Sequence, residues 1–245
     1  MSTRGWPEGL WVVRHGESAG NVARDLAEEQ MLERIDIAQR DTDVPLSALG
    51  ERQAAALGRW TAKQDDVPTV AWVSPYVRAQ DTARLALGAG GLDLPLRVDE
   101  RLREREFGVL DGLTRKGITS VFPEESERRA RLGKFFHRPP GGESWADVAL
   151  RVRAVLDEIR SDCGQERVLV VAHQVVVLVL RYVVEGMTEA DVLDVDRQGD
   201  VANCSVTSYA FDLGEPELTR YNEVAAVEDE DETVTAEPDV QHAPR

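Results

Sequence analysis

Residues 10–21 read LWVVRHGESAGN, an apolar run that ends abruptly in arginine, histidine and glycine. The run at residues 10–13 predicts a buried strand. Arg14 offers a planar guanidinium that matches phosphate oxygens, and His15 offers a basic or nucleophilic nitrogen near neutral pH. Open α/β sheets bind ligands beyond the carboxyl ends of their strands, so this pair marks a candidate site. We interpret Gly16 as the position where the backbone approaches the ligand.

Short apolar runs alternate with longer amphipathic segments along the chain, a pattern typical of an α/β fold. The predicted strands are residues 10–13, 69–73, 168–172 and 206–211, and the predicted helices begin near Ser47, Pro75 and Ser144. The alternation in the fourth strand favours a sheet edge. Residues 175–180, VVVLVL, have strand propensity, but they follow a strand directly and a parallel sheet needs a crossover, so we expect a buried helix. We therefore predict three layers, with a mostly parallel central sheet flanked by helices.

The chain has 245 residues and a formal net charge of −16, and its last 23 residues contribute −7 through eight acidic residues and one basic residue. We predict one domain over residues 1–222. We expect residues 223–245 to form a disordered acidic tail, because they offer too little apolar surface to offset the cost of ordering them. Such an acidic surface argues against nucleic acid as a partner. An anionic ligand would need a local basic cluster.

Two cysteines, Cys163 and Cys204, are too few for a disulfide framework, and the first residues lack the basic and apolar pattern of a signal peptide. These features predict a cytoplasmic protein. The apolar run at residues 168–184 is interrupted by polar side chains and is shorter than the roughly 20 apolar residues of a membrane span, so we expect no membrane partner.

Reactive side chains recur in three distant segments of the chain. His173 follows a predicted strand just as His15 does. Arg78 falls near the start of a predicted helix, where the helix dipole disfavours a cation unless an anion binds there. The segment RLREREFGVLDG adds Glu104 and Glu106, although in isolation a solvated loop with local ion pairs is the simpler explanation for it. A site that binds a phosphoryl group would use one of these carboxyl groups to protonate the leaving oxygen.

Six motifs occur in the order found in the histidine phosphatase superfamily, which includes the cofactor-dependent phosphoglycerate mutases. They are VVRHGESAGN, PLSALGERQA, SPYVRAQDTA, RLREREFGVLDG, GGESWADVALRV and VLVVAHQ, and they span roughly residues 10–212. This resemblance implies a phosphoglycerate mutase-like fold. It also implies that His15 is the nucleophile that becomes phosphohistidine, and that Arg14, Arg78 and His173 bind the phosphoryl oxygens. Asn21 matches the asparagine that ends the family motif and contacts the phosphate.

The remaining implied roles concern the leaving group and the substrate. Glu104 aligns with the family's proton donor, and Glu106 is the alternative. Gln174 stands where the family usually has glycine; it resembles the His-Gln of the fructose-2,6-bisphosphatase branch and is a candidate substrate-binding residue. The resemblance implies no metal ion and no cofactor, and the chain has no metal-ligand spacing of its own.

Departures from the usual family pattern, such as Gln174, favour hydrolysis of a small-molecule phosphate monoester. A phosphomutase is the alternative enzyme, and a phosphate-binding module without turnover is the alternative of another class. The module is disfavoured because every position that carries the chemistry is filled. Charged inserts at residues 22–41 and 113–138 are expected to determine the natural substrate, which the sequence leaves open. A homodimer through a sheet edge or an exposed helix is compatible with the sequence.

Overall fold

The computed structural model describes residues 5–212 and 214–237, which form a six-stranded sheet with helices on both faces. The strands are β1 (Gly9–Arg14), β2 (Val70–Val73), β3 (Leu96–Val98), β4 (Arg167–Ala172), β5 (Val206–Asp212) and β6 (Glu215–Glu223). Their order is β3-β2-β4-β1-β5-β6. The first four strands are parallel, and β5 is antiparallel to both β1 and β6. The predicted mostly parallel α/β fold is confirmed.

Helices cover both faces of this sheet. They are α1 (Ala19–Glu29), α2 (Ala48–Thr61), α3 (Val77–Gly90), α4 (Arg115–Val121), α5 (Pro123–Leu132), α6 (Trp145–Asp162), α7 (Gln174–Val184), α8 (Glu189–Gln198) and α9 (Ala225–Glu228). Alternate residues of β1 face opposite layers: Trp11 and Val13 pack with α2 and α3, whereas Leu10 and Val12 pack with α6 and α7. The helix predicted for residues 175–180 is confirmed as α7, where burial on all sides overrides the strand propensity of valine.

The parallel pairing of β1 with β4 brings the two predicted histidines together. Arg14 is in register with Ala172, and the His15 backbone N–H donates to the Ala172 carbonyl oxygen at 3.0 Å. His15 and His173 therefore leave the sheet side by side, with their ring centroids 5.1 Å apart. β2 lies on the other side of β4, and the segment after it carries Arg78 to the same end of the sheet. The carboxyl ends of three neighbouring strands thus build one site.

The antiparallel side of the sheet differs from the prediction. The sequence predicts β5 at a sheet edge, but β5 lies between β1 and β6. The edge is β6, whose polar and partly exposed sequence EPELTRYNE contains no apolar run. β3 has only three residues and its side chains are also largely exposed. Both strands were missed because edge strands bury too little apolar surface to stand out in a sequence.

The C-terminal segment also differs from the prediction. The sequence predicts disorder over residues 223–245, but the structure packs residues 223–237 against the domain, and residues 238–245 lie outside the described part. Ala226 and Val227 of α9 are fully buried in the core between the sheet and α2. Acidic residues of the segment pair with basic residues of α2: Glu230 with Arg59, and Glu232 with Arg52. The composition of this segment predicted disorder because a count of its acidic residues leaves out the basic residues of α2 that pair with them.

Both cysteines are buried free thiols. Cys163 packs in the core on the α6 and α7 side of the sheet, and Cys204 packs on the α2 and α3 side. Within the described residues, no helix combines the length and the apolar character that crossing a membrane requires.

Candidate active site

His15 lines a pocket at the carboxyl end of the sheet and is 4% exposed. Its Nδ1 is 2.7 Å from the Gly16 carbonyl oxygen, which can only accept, so Nδ1 carries the ring proton. The lone pair is therefore on Nε2, to which Arg78 Nε donates at 3.3 Å. Burial, together with the nearby Arg78 and Arg14 cations, holds the pKa of His15 well below its usual value. His15 is therefore a neutral imidazole with its lone pair on Nε2.

Arg14, the last residue of β1, is 4% exposed and is fixed by surrounding acceptors. Its Nη1 donates to Gln174 Oε1 at 2.9 Å and to the Val201 carbonyl oxygen. Its Nε has no hydrogen-bond partner among the residues that the structure describes. A buried N–H without a partner is costly, so an oxyanion that accepted from this nitrogen would be bound favourably.

Arg78 lies in the first turn of α3, as predicted, and is 5% exposed. Its Nη1 is 3.0 Å from Asp41 Oδ1 and donates to the Asp41 carbonyl oxygen at 2.5 Å. Its guanidinium carbon is 4.8 Å from the ring centroid of Tyr76. Asp41 ends the insert at residues 22–41, so this insert positions one of the two cations beside His15 and offsets part of the unfavourable interaction with the helix dipole.

His173 is the N-cap of α7 and is fully buried. Its Nε2 is 2.7 Å from Ser74 Oγ, which also accepts from the Tyr76 N–H at 3.3 Å. His173 Nδ1 has no hydrogen-bond partner among the described residues. Burial, with Arg78 and His15 nearby, holds the pKa of His173 well below its usual value.

The two candidate proton donors occupy different surroundings. Glu104 lines the pocket and is half-buried, with its Oε1 accepting from the Arg105 N–H at 2.8 Å. Arg151 holds this turn by donating from Nη2 to the Glu104 carbonyl oxygen at 3.2 Å. Glu106 is exposed, and its backbone N–H donates to Glu143 at 3.1 Å. Of the two, Glu104 lines the pocket that His15 also lines, and Glu106 does not.

Asn21 and Gln174 both line the pocket, and each is held by a side-chain network. Asn21 Oδ1 accepts from the Ser18 backbone N–H at 2.7 Å, which closes the capping box of α1 and leaves the amide nitrogen as a donor toward the pocket. Gln174 accepts from Arg14 and donates from Nε2 to Asp200 Oδ1 at 3.1 Å. Gln174 therefore orients Arg14 in addition to lining the pocket.

Gly16 has a different function from the one interpreted from the sequence. A Cβ on Gly16 would lie 2.6 Å from the Gly50 carbonyl oxygen, and a Cβ on Gly50 would lie 1.9 Å from the Glu17 carbonyl oxygen. The Gly16 N–H donates to Thr82 Oγ1 at 3.0 Å. The close approach that requires glycine is thus between the His15 loop and α2, and Gly16 does not line the pocket.

Sequence reasoning missed several residues that complete the site. Asn203 Nδ2 donates to the His15 carbonyl oxygen at 2.9 Å, and Ser74 and Asp41 hold His173 and Arg78 as described above. Ser74 follows the β2 strand within the motif SPYVRAQDTA, so its position was a usable signal. Asn203 is in a turn and Asp41 begins a short 3-10 helix (Asp41–Asp43), and no periodicity or motif indicates either residue.

Glu237 is a further missed residue, from the segment predicted to be disordered. It is 3% exposed and lines the pocket. Its Oε2 is 3.7 Å from Arg14 Nη2 and accepts a hydrogen bond from Asn21 Nδ2. Burial raises its pKa to about 7.

The pocket of about 310 Å³ gathers charges of both signs in an otherwise acidic protein. Its lining includes four arginines (Arg14, Arg24, Arg34 and Arg78) and four carboxyl groups (Asp41, Glu104, Asp111 and Glu237). The four arginines supply the local cations that an anionic ligand requires, while the four carboxyl groups balance their formal charge. A neutral imidazole beside fixed guanidinium groups and a carboxyl group is suited to phosphoryl transfer. Among the described side chains, no group of three or more His, Cys, Asp or Glu is placed to hold a metal ion.

The chain is similar in sequence to several known proteins. The model of the histidine phosphatase superfamily (branch 1) matches residues 10–224. A 6-phosphofructo-2-kinase/fructose-2,6-bisphosphatase of Caenorhabditis elegans is 30% identical over 222 residues, which cover 87% of this chain but only 44% of that relative. A 2,3-bisphosphoglycerate-dependent phosphoglycerate mutase of Methylobacterium radiotolerans is 35% identical over 191 residues, which cover 76% of this chain and 82% of the relative.

A similar solved structure is that of a mycobacterial glucosyl-3-phosphoglycerate phosphatase. It is 29% identical, with a TM-score of 0.69, and the match covers 88% of this chain and 99% of that chain. The likeness therefore extends over nearly the whole described fold.

Proposed function

Because the chain belongs to the histidine phosphatase superfamily, we propose that it hydrolyses phosphate monoesters through a phosphohistidine on His15. The observation that carries the proposal is the state of this side chain: a neutral imidazole with Nδ1 bonded to Gly16 and Nε2 beside Arg78. The proposed substrate is a small-molecule phosphate monoester, and the proposed reaction uses no metal ion.

In the first step, His15 Nε2 attacks phosphorus, so that the N–P bond forms while the bond from phosphorus to the leaving oxygen breaks. Arg14 and Arg78 stabilise the charge on the equatorial oxygens of the phosphoryl group. Glu104 gives its proton to the leaving oxygen, and the alcohol departs neutral. The Nδ1–H···O=C bond to Gly16 stabilises the positive charge that the phosphorylated ring acquires.

In the second step, a water molecule attacks the phosphohistidine and Glu104, now a carboxylate, accepts its proton. The N–P bond breaks, orthophosphate is released, and His15 returns to its neutral form. The covalent intermediate divides one difficult displacement into two easier ones.

Two observations support hydrolysis. Gln174, which accepts a hydrogen bond from Arg14, forms with the preceding histidine a His-Gln pair like that of the fructose-2,6-bisphosphatase branch. The similar mycobacterial structure bears the name of a phosphatase. The 35% identity to a phosphoglycerate mutase favours a second candidate, a phosphomutase. The two candidates share the first step and differ in whether water or a second substrate receives the phosphoryl group.

Turnover of a chromogenic aryl phosphate between pH 5 and 8, in the presence of a chelator, tests the proposal. The enzyme should release orthophosphate and should carry acid-labile label when it is quenched during turnover of a ³²P-labelled substrate. The His15→Ala variant should lose both. Persistent label in that variant would refute the assignment, and label that passes to a phosphoglycerate instead of water would identify a mutase.

Two arginines of α3, one in the pocket and one on the surface, provide a test variant and its matched control for the same assay. Arg78→Lys should lower kcat/KM by roughly 10²- to 10³-fold, because a lysine cannot reproduce the fork beside His15. Arg84 is on the same helix but is exposed and pairs with Asp81 at 2.8 Å, so Arg84→Lys should stay within about twofold of wild type. Equal losses in the two variants would show that the effect is not specific to the pocket.

A further inference from the structure

We propose that the carboxyl group of Glu237 is an internal ligand of the phosphoryl-binding subsite, so that residues 233–237 of the C-terminal segment (residues 223–237) compete with phosphate for Arg14 and Asn21. The inference rests on the proposed function, which assigns these two residues to the phosphoryl group. It adds an occupant that is part of the chain itself and a means of regulating access to the site.

The contacts of Glu237 are those that a phosphoryl oxygen would make. Its Oε2 is 3.7 Å from Arg14 Nη2 and accepts from Asn21 Nδ2, and its backbone oxygen accepts from Arg14 Nη1 at 3.4 Å. Carboxylate and phosphate oxygens compete for the same guanidinium donors. Glu237 is 3% exposed and occupies these donors, so a phosphoryl oxygen that accepts from them must replace its carboxyl group.

The segment is held in place by residues of the active-site framework. The Asn203 N–H donates to the Thr235 carbonyl oxygen at 2.8 Å, and Thr235 Oγ1 donates to Asn203 Oδ1 at 3.0 Å. Gln53 Nε2 donates to the Thr233 carbonyl oxygen at 2.8 Å and to Thr235 Oγ1 at 3.0 Å. Asn203 also donates to the His15 carbonyl oxygen. The last residue held by these bonds is Thr235, and Glu237 reaches the pocket two residues later.

Docking of this segment depends on pH. The charged groups that act on Glu237 are Arg14 of β1 and Arg24 and Asp25 of α1. Burial raises its pKa to about 7 in spite of the two arginines, and Asp25 adds to the increase. The docked carboxyl group therefore takes up a proton that an undocked glutamate lacks near pH 6. Docking is favoured at low pH and weakens, by at most about tenfold per pH unit, as the pH rises toward 7.

Calorimetric titration of the full-length chain with orthophosphate tests the inference. At pH 6, Glu237→Ala should bind orthophosphate about tenfold more tightly than wild type, because the competing carboxyl group is gone. The control Glu232→Ala removes a carboxylate of the same segment whose partner, Arg52, is outside the pocket, so its Kd should stay within about twofold of wild type. Unchanged or weaker phosphate binding in Glu237→Ala would overturn the inference.

A second variant loosens the segment without changing its carboxyl group. Thr235→Val removes the hydroxyl bonds to Asn203 and Gln53, so it should also tighten phosphate binding, by a smaller factor. The ratio of the wild-type Kd to the Glu237→Ala Kd should decrease between pH 6 and 8; the titration of orthophosphate itself cancels in this ratio. A constant ratio would contradict the pH-dependent docking.

Failure of this inference and failure of the proposed function give different results. The titration measures binding to unreacted protein, so it is valid even if the protein shows no turnover. Absence of phosphoenzyme with tighter phosphate binding in Glu237→Ala would refute catalysis and leave the internal ligand standing. Normal turnover of the wild type, together with unchanged phosphate affinity in Glu237→Ala, would support catalysis and refute the internal ligand.

Discussion

Glu104 and Glu106 are two residues apart, yet only Glu104 lines the pocket. A general acid matters most when the leaving group is a poor one, because an activated aryl oxide departs without a proton. Glu104→Gln should therefore reduce kcat/KM, which reports formation of the phosphohistidine, by roughly 10²- to 10⁴-fold on an alkyl phosphate and much less on p-nitrophenyl phosphate. Steady-state rates on the two substrates measure the difference.

Glu106→Gln is the matched control for this experiment, since it makes the same chemical change on an exposed side chain of the same turn. We expect it to lower both rates by less than about threefold. If Glu106→Gln were instead the variant that discriminates between leaving groups, the proton donor would have been assigned to the wrong carboxyl group.

His15 links the site to the stability of the protein. Its pKa in the folded protein is well below the unfolded value of about 6.5, so the unfolded chain binds more protons just below that pH. Stability from this group is complete above pH 6.5 and is lost, at up to about 1.4 kcal/mol per pH unit, as the pH falls below it. The His15→Gln variant does not lose this stability. The unfolding free energy of the wild type minus that of the variant should therefore fall by up to that amount for each pH unit below 6.5.

Urea denaturation of both proteins at pH 7.5, 6.5 and 5.5 in phosphate-free buffer measures the shift. Titrating groups that do not interact with His15 are present in both proteins and cancel in the difference. The His173 ring is 5.1 Å from that of His15, so the measured shift belongs to the two histidines together. Parallel dependence of the two unfolding free energies on pH would mean that His15 titrates normally in the folded state.

Among the elements, α2 and the His15 loop are in close backbone contact. An ideal Cβ on Gly50 would lie 1.9 Å from the Glu17 carbonyl oxygen, while Ser47, the N-cap of α2, donates from its backbone N–H to that oxygen at 2.9 Å. Gly50→Ala should therefore displace the loop and lower the free energy of unfolding by roughly 1–3 kcal/mol, with a loss of kcat/KM. Thermal denaturation and aryl phosphate turnover measure the two effects.

The control for this substitution is another glycine within a helix. Gly88 of α3 is exposed, and a Cβ added there meets no atom within 4 Å. Gly88→Ala should leave turnover unchanged and raise stability by up to about 1 kcal/mol through its higher helix propensity. A neutral Gly50→Ala would show that the loop and helix can separate without affecting the site.

The strands that carry the site could be predicted because they are buried on both faces. Such strands appear as short apolar runs, and the residue after each run marks a carboxyl end, which located His15 and His173. Arg78 was located by its place near the start of a predicted helix. The choice of Glu104 over Glu106 and the role of Asn21 came from the family resemblance, and the structure places these residues at the same pocket. β3 and β6 lack apolar runs, and Asn203 and Asp41 reach the site through tertiary contacts alone. Such contacts leave no local pattern in a sequence.

At the scale of the whole molecule, the C-terminal segment runs from the sheet edge at β6 across α2 to the pocket. Its acidic composition suggested disorder, but two buried side chains, Ala226 and Val227, and the ion pairs with α2 fix its course. Charge counts treat the segment as isolated, whereas its carboxylates pair with arginines that are more than 170 positions earlier in the chain. Composition predicts order poorly where the compensating charges are distant in sequence.

This course couples the segment to the ligand state of the pocket. If orthophosphate displaces Glu237, it must also loosen residues 233–237, because binding at two coupled sites is reciprocal. Digestion of the wild-type protein by a protease of broad specificity at pH 6 should then cleave these residues several-fold faster in saturating orthophosphate than in sulfate-free buffer without it. Cleavage at sites elsewhere in the chain should slow or stay constant.

Mass spectrometry of the fragments separates the two classes of site, and Glu237→Ala should show fast cleavage with or without phosphate. Slower cleavage of residues 233–237 in phosphate would mean that the segment closes over the ligand instead of competing with it.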